Sequence, residues 1–315
     1  MSAISVVKPG MLTTVQDIGR WGYQAQGVPV AGPMDPVSHR MANALVGNDR
    51  DAALLEITLL GPELVFEDER TVAVAGAEFD LTVDGRAVPS HAAFTVPAGS
   101  RVRFGERRAG ARAYLAVSGG IAVPPTLGSR ATHLVSVMGG VSGRALAAGD
   151  QLPLGVRSRS SRLPQPVAAD GANAARSALE NLIRILPGPQ ADYFAAGALD
   201  VLQSAPYRVG ANSDRMGFRL EGPPLTHARG ADIISDATPL GVLQVPASGQ
   251  PILLMADRQT TGGYPKIATV IAADMAIAGQ LAPADAIRFV VCTPREALTA
   301  LIAQERALMA LEDRR

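Results

Sequence analysis

Apolar residues in this chain come mostly in short runs, and only rarely in helical stripes. Ile4–Val7, Leu54–Leu60, Glu63–Phe66, Thr71–Ala75, Glu78–Val83, Ala92–Val96, Arg101–Phe104, Ala111–Val117 and Asp150–Leu154 each read as a strand. Asp84-Gly85, between Val83 and Val88, is a hairpin signal. Continuous runs such as Val72-Ala73-Val74-Ala75 imply burial on both faces. Strands resume at Leu182–Leu186, from Tyr207, at Pro251–Met255 and at Ile267–Ile271.

Helical signals are few. Asp35 before Pro36 is an N-cap followed by proline at the first helical position, and Gly47-Asn48 supplies the C-cap. A short helix is expected over Ala191–Leu202. Near the C-terminus, Thr293, Pro294 and Glu296 make a capping box, and Leu298, Leu301, Ile302, Leu308 and Met309 line one face. That face is expected to pack on the chain's own barrel, with a partner surface as the alternative. The pattern predicts a mainly β protein: a first module over residues 1–155, a Ser/Arg/Pro-rich linker over 156–178, a second module over 179–293 and a C-terminal helix over 294–315.

Composition narrows the function classes. The chain has 315 residues, 47% hydrophobic and 18% charged, so core material is ample. Net charge is zero and the pI is about 6.9, which argues against a nucleic-acid footprint. The 32 glycines and 23 prolines favour strands and turns. Cys292 is the single cysteine and lies in a strand-like run, so a buried, inert thiol is expected and no intrachain disulfide can form. The N-terminus lacks a signal-peptide core and no run is long enough to span a bilayer; a cytoplasmic protein is expected.

Much familiar chemistry is missing. There is no Gly-x-x-x-x-Gly-Lys-Ser/Thr loop, no dinucleotide fingerprint and no Gly-x-Ser-x-Gly elbow. The four histidines, His39, His91, His133 and His227, show no metal-ligand spacing, and no metal is expected. Ser118 reads as a turn serine.

What remains is a set of polar loops held by strands, where binding groups usually sit. The richest is Asp257-Arg258-Gln259-Thr260-Thr261-Gly262-Gly263-Tyr264, followed by Pro265 and Lys266. Its paired glycines let backbone N–H groups approach a ligand. Asp257 is a candidate general base or a partner for Arg258, and these two are the candidate catalytic residues. Gln16, Asp17 and Arg20, and Ser213, Asp214 and Arg215, join Gln259, Thr260, Thr261, Gly262, Gly263, Tyr264 and Lys266 as substrate-binding candidates. Arg20 and Arg215 suit bidentate carboxylate or amide recognition, and equally suit bracing of the fold.

The two halves also resemble each other. Arg20-Trp21-Gly22-Tyr23 matches Arg215-Met216-Gly217-Phe218 at an offset of 195. Glu56-Ile57-Thr58-Leu59-Leu60-Gly61 matches Asp236-Ala237-Thr238-Pro239-Leu240-Gly241 at an offset of 180. The second register sets Val72–Ala75 on Ile252–Met255 and Ala256–Gln259 on Gly76–Phe79. Two similar barrels with a ligand cleft between them are expected.

Thr14-Val15-Gln16-Asp17-Ile18-Gly19-Arg20-Trp21-Gly22-Tyr23, Gly27-Val28-Pro29, Met34-Asp35, Arg112–Gly120, Ser213–Gly217, Leu243-Gln244-Val245-Pro246 and Asp257–Pro265 together resemble the biotin-dependent carboxyltransferase-like family. This family includes allophanate hydrolase subunit 2 and the C-subunit of 5-oxoprolinase. Ala31-Gly32-Pro33 and Ser235-Asp236-Ala237 depart from the usual pattern. The resemblance implies tandem cyclophilin-like β-barrels, a partner of the allophanate hydrolase subunit 1 or 5-oxoprolinase B-subunit type, and a third 5-oxoprolinase subunit. It implies ATP-dependent opening of 5-oxoproline to glutamate by that complex. The alternatives are a carboxyltransferase acting on urea, whose biotin would arrive on another chain, and a non-catalytic partner that antagonises a kinase inhibitor.

Overall fold

The computed structural model describes residues 2–156 and 181–313; the linker expected over 156–178 lies, but for Val156, outside them. The described residues form two compact units. One runs up to Arg20, resumes at Ala31 and also includes the chain from Arg306 onward; the other comprises Trp21–Val30 and the stretch from Asn181 to Glu305. Among the described residues no helix is long and apolar enough to cross a membrane.

The first unit is built on one nine-stranded sheet. Its strands are β1 (Ala3–Lys8), β2 (Leu12–Gln16), β3 (Leu54–Thr58), β4 (Glu63–Phe66), β5 (Arg70–Val83), β6 (Arg86–Val88), β7 (Ala93–Val96), β8 (Arg101–Val117) and β9 (Gln151–Pro153). The main order is β2-β3-β8-β4-β1-β9, with β5 pairing β6, β7 and β8. Val72, Val74, Leu55, Leu115, Val117 and Phe66 share its core. The hairpin at Asp84-Gly85 forms as expected, with φ of 48° and 80° and Val83 opposite Arg86.

Here two sequence expectations change. Thr71–Ala75 and Glu78–Val83 are one strand, as are Arg101–Phe104 and Ala111–Val117. The pairing of β5 with β8 continues through three register shifts between Gly76 and Leu81. Bulges bend a strand without ending it, so a polar or glycine interruption reads falsely as a terminus.

Helix α1 (Pro36–Leu45) starts as predicted: the Asp35 carboxylate accepts from the Val37 and Ser38 N–H groups. It ends in paired bonds from Gly47 N to Ala44 O (3.1 Å) and Asn48 N to Asn43 O (2.9 Å), a Schellman motif. Ala42, Leu45 and Val46 pack with Ala73, Ala75, Tyr114 and Ala116 of β5 and β8.

The second unit holds a closed barrel, β10-β17-β14-β15-β12-β11-β18. These are β10 (Asn181–Pro187), β11 (Tyr207–Val209), β12 (Gly217–Glu221), β14 (Val242–Gln244), β15 (Ile252–Leu254), β17 (Lys266–Val270) and β18 (Ala286–Val291). β10 pairs parallel to β18 and closes the ring. A two-stranded piece, β13 (Asp236–Ala237) with β16 (Thr261–Gly262), stands apart from that ladder. The helix expected over Ala191–Leu202 is a 3-10 turn at Ala191–Tyr193 and then α2 (Ala198–Ser204); α3 (Met275–Gly279) follows later.

Helix α4 (Pro294–Glu312) begins with the predicted capping box. The Glu296 carboxylate accepts from Thr293 N (2.7 Å), and Thr293 Oγ1 accepts from Glu296 N (3.2 Å). Its apolar face is only partly covered: Leu308 is buried, whereas Leu298, Ile302 and Met309 are exposed. Cys292 is half-buried, and burial raises the pKa of its thiol, which favours the inert form.

The duplication survives in part. The antiparallel orders β2-β3-β8-β4 and β11-β12-β15-β14 correspond. Arg20 and Arg215 then both lie in the connection between the first two strands of that order, which supports the 195 offset. The 180 offset fails, because β15 takes the pairing role of β8, not of β5. The counterpart of Asp257-Arg258 is therefore the turn after β8, Ser118-Gly119, and not Gly76–Phe79.

Candidate functional site

The Asp257–Tyr264 loop is pinned along its length. Ile233 N donates to Gly263 O (2.8 Å) and Thr238 N to Thr260 O (3.1 Å), while Asp236 and Ala237 pair with Gly262 and Thr261. The Thr238 hydroxyl donates to Gln259 O. A loop fixed this way presents its side chains from a set backbone.

Its first residue is an anchor. Asp257 and Arg215 are 3% and 5% exposed, and the guanidinium donates through Nε to Oδ2 and through Nη2 to Oδ1, both at 2.9 Å. Asp257 N also donates to Arg215 O (2.8 Å). Asp214 supports the same corner by accepting from Met216 N (2.8 Å), and Ser213 Oγ accepts from Arg219 N (3.0 Å). The partner of Asp257 is thus Arg215 and not Arg258.

Arg258 is placed differently. Its Nε donates to Thr238 O (2.8 Å) and its Nη1 to Met255 O (3.4 Å), both neutral carbonyls. Burial alone lowers its pKa, with no neighbouring charge acting against that loss. A desolvated guanidinium that meets no counter-ion among the described residues is suited to receiving an anion.

Lys266, by contrast, is satisfied. Its Nζ donates to Asp236 Oδ2 (2.8 Å), with the lysine side chain 1% and the aspartate 54% exposed. That hydrogen bond holds the Asp236 carboxyl below its usual range. Tyr264 is exposed at the end of the loop.

Gln244, which the sequence showed only inside the Leu243-Gln244-Val245-Pro246 motif, joins this group. It lies on β14 opposite Lys266 and is 1% exposed. Its Oε1 accepts from Gln259 Nε2 (3.3 Å), while its Nε2 has no hydrogen-bond partner among the described residues. The signal was a lone amide in an apolar strand.

The first unit gathers a second polar cluster. Gln16 Nε2 donates to Thr14 Oγ1 (3.0 Å) and Thr132 O (3.1 Å). Asp17 accepts from Gly19 N (2.9 Å) and Ser129 Oγ (2.6 Å) and from Arg130 N, which ties two loops together. Arg20 is buried and donates through Nη2 to Ala131 O (2.6 Å). Gly139, at φ 69°, lets Ala131 O and this guanidinium approach: a Cβ there would sit 2.1 Å from the carbonyl oxygen and 2.7 Å from Nη2.

The neighbours of this cluster carry no sequence motif that marks them as site residues. Tyr114 Oη donates to Glu56 Oε2 (2.8 Å) and accepts from Asp35 N (2.7 Å). Burial raises the Tyr114 pKa well above its ordinary value. His39 is fully buried, and neither ring nitrogen makes a well-formed hydrogen bond among the described residues. Burial lowers its pKa to about 4, against the opposing pull of Asp17, the Gln16 backbone, Glu56 and Asp35. Among the described residues no three His, Cys, Asp or Glu side chains converge as metal ligands would.

Comparison with known proteins places these features in a family. Residues 26–291 match the model described as "Carboxyltransferase domain, subdomain A and B". The chain is 41% identical to the 5-oxoprolinase C-subunit of Escherichia coli (strain K12) over 303 residues, covering 96% of each protein. It is 35% identical to the protein of the same name from Haemophilus influenzae over 288 residues, covering 90% of this chain and 89% of that one. Among solved structures, Kluyveromyces lactis urea carboxylase superposes with a TM-score of 0.89 at 33% identity, over 98% of this chain. This chain spans only 29% of that protein. The chain belongs to the carboxyltransferase-domain family that contains the 5-oxoprolinase C-subunit and the matching domain of urea carboxylase.

Proposed function

We propose that this chain is a subunit of an ATP-dependent 5-oxoprolinase, active together with a partner of the B-subunit type and a third kind of subunit, and that Arg258 holds the carboxylate of 5-oxoproline. The observation that carries the site reading is Arg258 itself, a desolvated guanidinium held only by carbonyl groups among the described residues. The near-full-length relationship to two proteins named as the C-subunit of 5-oxoprolinase supports the substrate.

Net, 5-oxoproline, ATP and two waters become glutamate, ADP and phosphate. ATP supplies activation of the unreactive lactam to the complex as a whole. Ring opening then breaks the lactam C–N bond, water oxygen ends on the carbon and a proton ends on the nitrogen. In this chain Arg258 fixes the carboxylate end of the ring. The Arg215–Asp257 pair sets where Arg258 starts. The Gly262 N–H is committed to the β13–β16 pairing, which leaves the Gly263 N–H to meet charge developing on oxygen.

The test is glutamate release from 5-oxoproline by the reassembled complex with ATP, comparing wild type with Arg258→Ala. Loss of a charged contact predicts a fall in kcat/KM of about tenfold to a hundredfold. Unchanged turnover removes Arg258 from the site.

A second reading is a carboxyltransferase subunit acting with biotin carried on another chain. The fold match to urea carboxylase favours it. Biotin detectable by streptavidin in the assembled complex, with no glutamate release, would select this reading.

A further inference from the structure

The sequence places one amide, Gln244, within an otherwise apolar strand, and the fold leaves its Nε2 group without an acceptor among the described residues. β14 lies between β15 and β17, so Gln244 is held on both sides by the barrel. Gln259 donates to its Oε1, which leaves Nε2 facing the loop. There Nε2 meets no acceptor among the described residues, although the side chain is 1% exposed. A buried donor left without an acceptor is destabilising, so this one is poised for an acceptor from outside the described chain.

The space beside it is defined by Gly262. A Cβ on Gly262 would lie 2.6 Å from Gln244 Nε2, 3.1 Å from Thr238 Cγ2 and 3.3 Å from Gln259 Nε2. Thr238 is also the residue whose carbonyl holds Arg258 Nε at 2.8 Å. The orphan amide donor borders Gly262, Gly262 borders the Thr238 side chain, and the Thr238 carbonyl holds the guanidinium, so both groups lie along the short β13–β16 pairing. An anion site beside a neutral donor fits a small molecule carrying a carboxylate and, a few atoms away, a carbonyl.

We infer that Gln244 is a specificity-determining residue of this site, donating its Nε2–H to the amide carbonyl oxygen of the molecule whose carboxylate Arg258 holds. The inference rests on the 5-oxoprolinase reading, under which that carbonyl is the lactam C=O. It also explains the glycine at 262: a methyl group there would displace the Gln244 amide. The obstructing atom is the end of a flexible side chain, so Gly262→Ala moves the amide without breaking the loop.

The experiment uses the reassembled complex, with KM for 5-oxoproline, KM for ATP and kcat measured for wild type, Gln244→Met and Gly262→Ala. Gln244→Met keeps the shape and removes the donor. Losing one neutral hydrogen bond predicts a KM for 5-oxoproline raised about three- to tenfold in both variants, with KM for ATP unchanged. An unchanged KM for 5-oxoproline in either variant, or an equal rise in both KM values, overturns the role of Gln244 and leaves the proposed function standing. No glutamate release by the folded wild-type complex overturns the proposed function first, and the inference with it.

Discussion

Arg215 and Asp257 meet fork to fork, two N–H···O contacts of 2.9 Å between side chains 42 positions apart and almost wholly buried. A backbone bond between the same two residues runs alongside. The pair therefore fixes where the polar loop leaves β15, and the carboxylate is already committed to that task.

Breaking this pair from one side strands a buried charge. Arg215→Ala or Asp257→Ala is expected to cost about 3–5 kcal/mol in denaturant unfolding. Arg215→Lys recovers only part, because an ammonium cannot reproduce the fork. A double-mutant cycle gives the coupling; near-zero coupling would contradict the anchor role.

His39 makes stability depend on pH. Its folded pKa, about 4, lies below the ordinary 6.5, so between those values the unfolded chain binds more protons. Stability is then present above pH 6.5 and falls as the pH drops towards 4. The loss approaches about 3 kcal/mol, at roughly 1.4 kcal/mol per unit of difference. Urea midpoints for wild type and His39→Met across pH 4–7 check this; the variant should show the shallower slope.

Gly139→Ala tests the close approach around Arg20. A methyl group would collide with Ala131 O at a left-handed backbone position, and the neighbouring atom is backbone that cannot swing aside. A loss above about 1 kcal/mol is expected. An unchanged melting temperature would show that the loop yields freely.

Thr293→Ala removes the hydroxyl that caps α4. The expected cost is about 1 kcal/mol, read in denaturant unfolding, with little effect on activity.

Much of the fold was legible in local chemistry. Asp35-Pro36 and Thr293-Pro294 fixed helix starts, and Asp84-Gly85 fixed a turn, because each signal acts within four residues. Strand continuity was not legible. Gly76 and Gly105–Gly110 look like breaks, and only the partner strand shows that pairing runs through them. The 180 offset failed for the same reason, since strand equivalence is decided by pairing and not by position. In the site, Asp257, Arg258 and Arg215 stood out by type, but nothing local says that Asp257 takes Arg215 and leaves Arg258 with carbonyls. Gln244 was missed because a lone amide in an apolar run has no spacing pattern to reveal it, and His39 because, between Ser38 and Arg40 on a helix, nothing local says that its side is the buried one.

The central claim is that this chain binds 5-oxoproline through Arg258 within an ATP-dependent complex. The most direct measurement is glutamate formed from 5-oxoproline and ATP by the reassembled subunits, with wild-type chain and with Arg258→Ala. Wild type is predicted to release glutamate, and the variant to show at least about a tenfold lower kcat/KM. No release by the folded wild-type complex, or equal kcat/KM for the two, would contradict it.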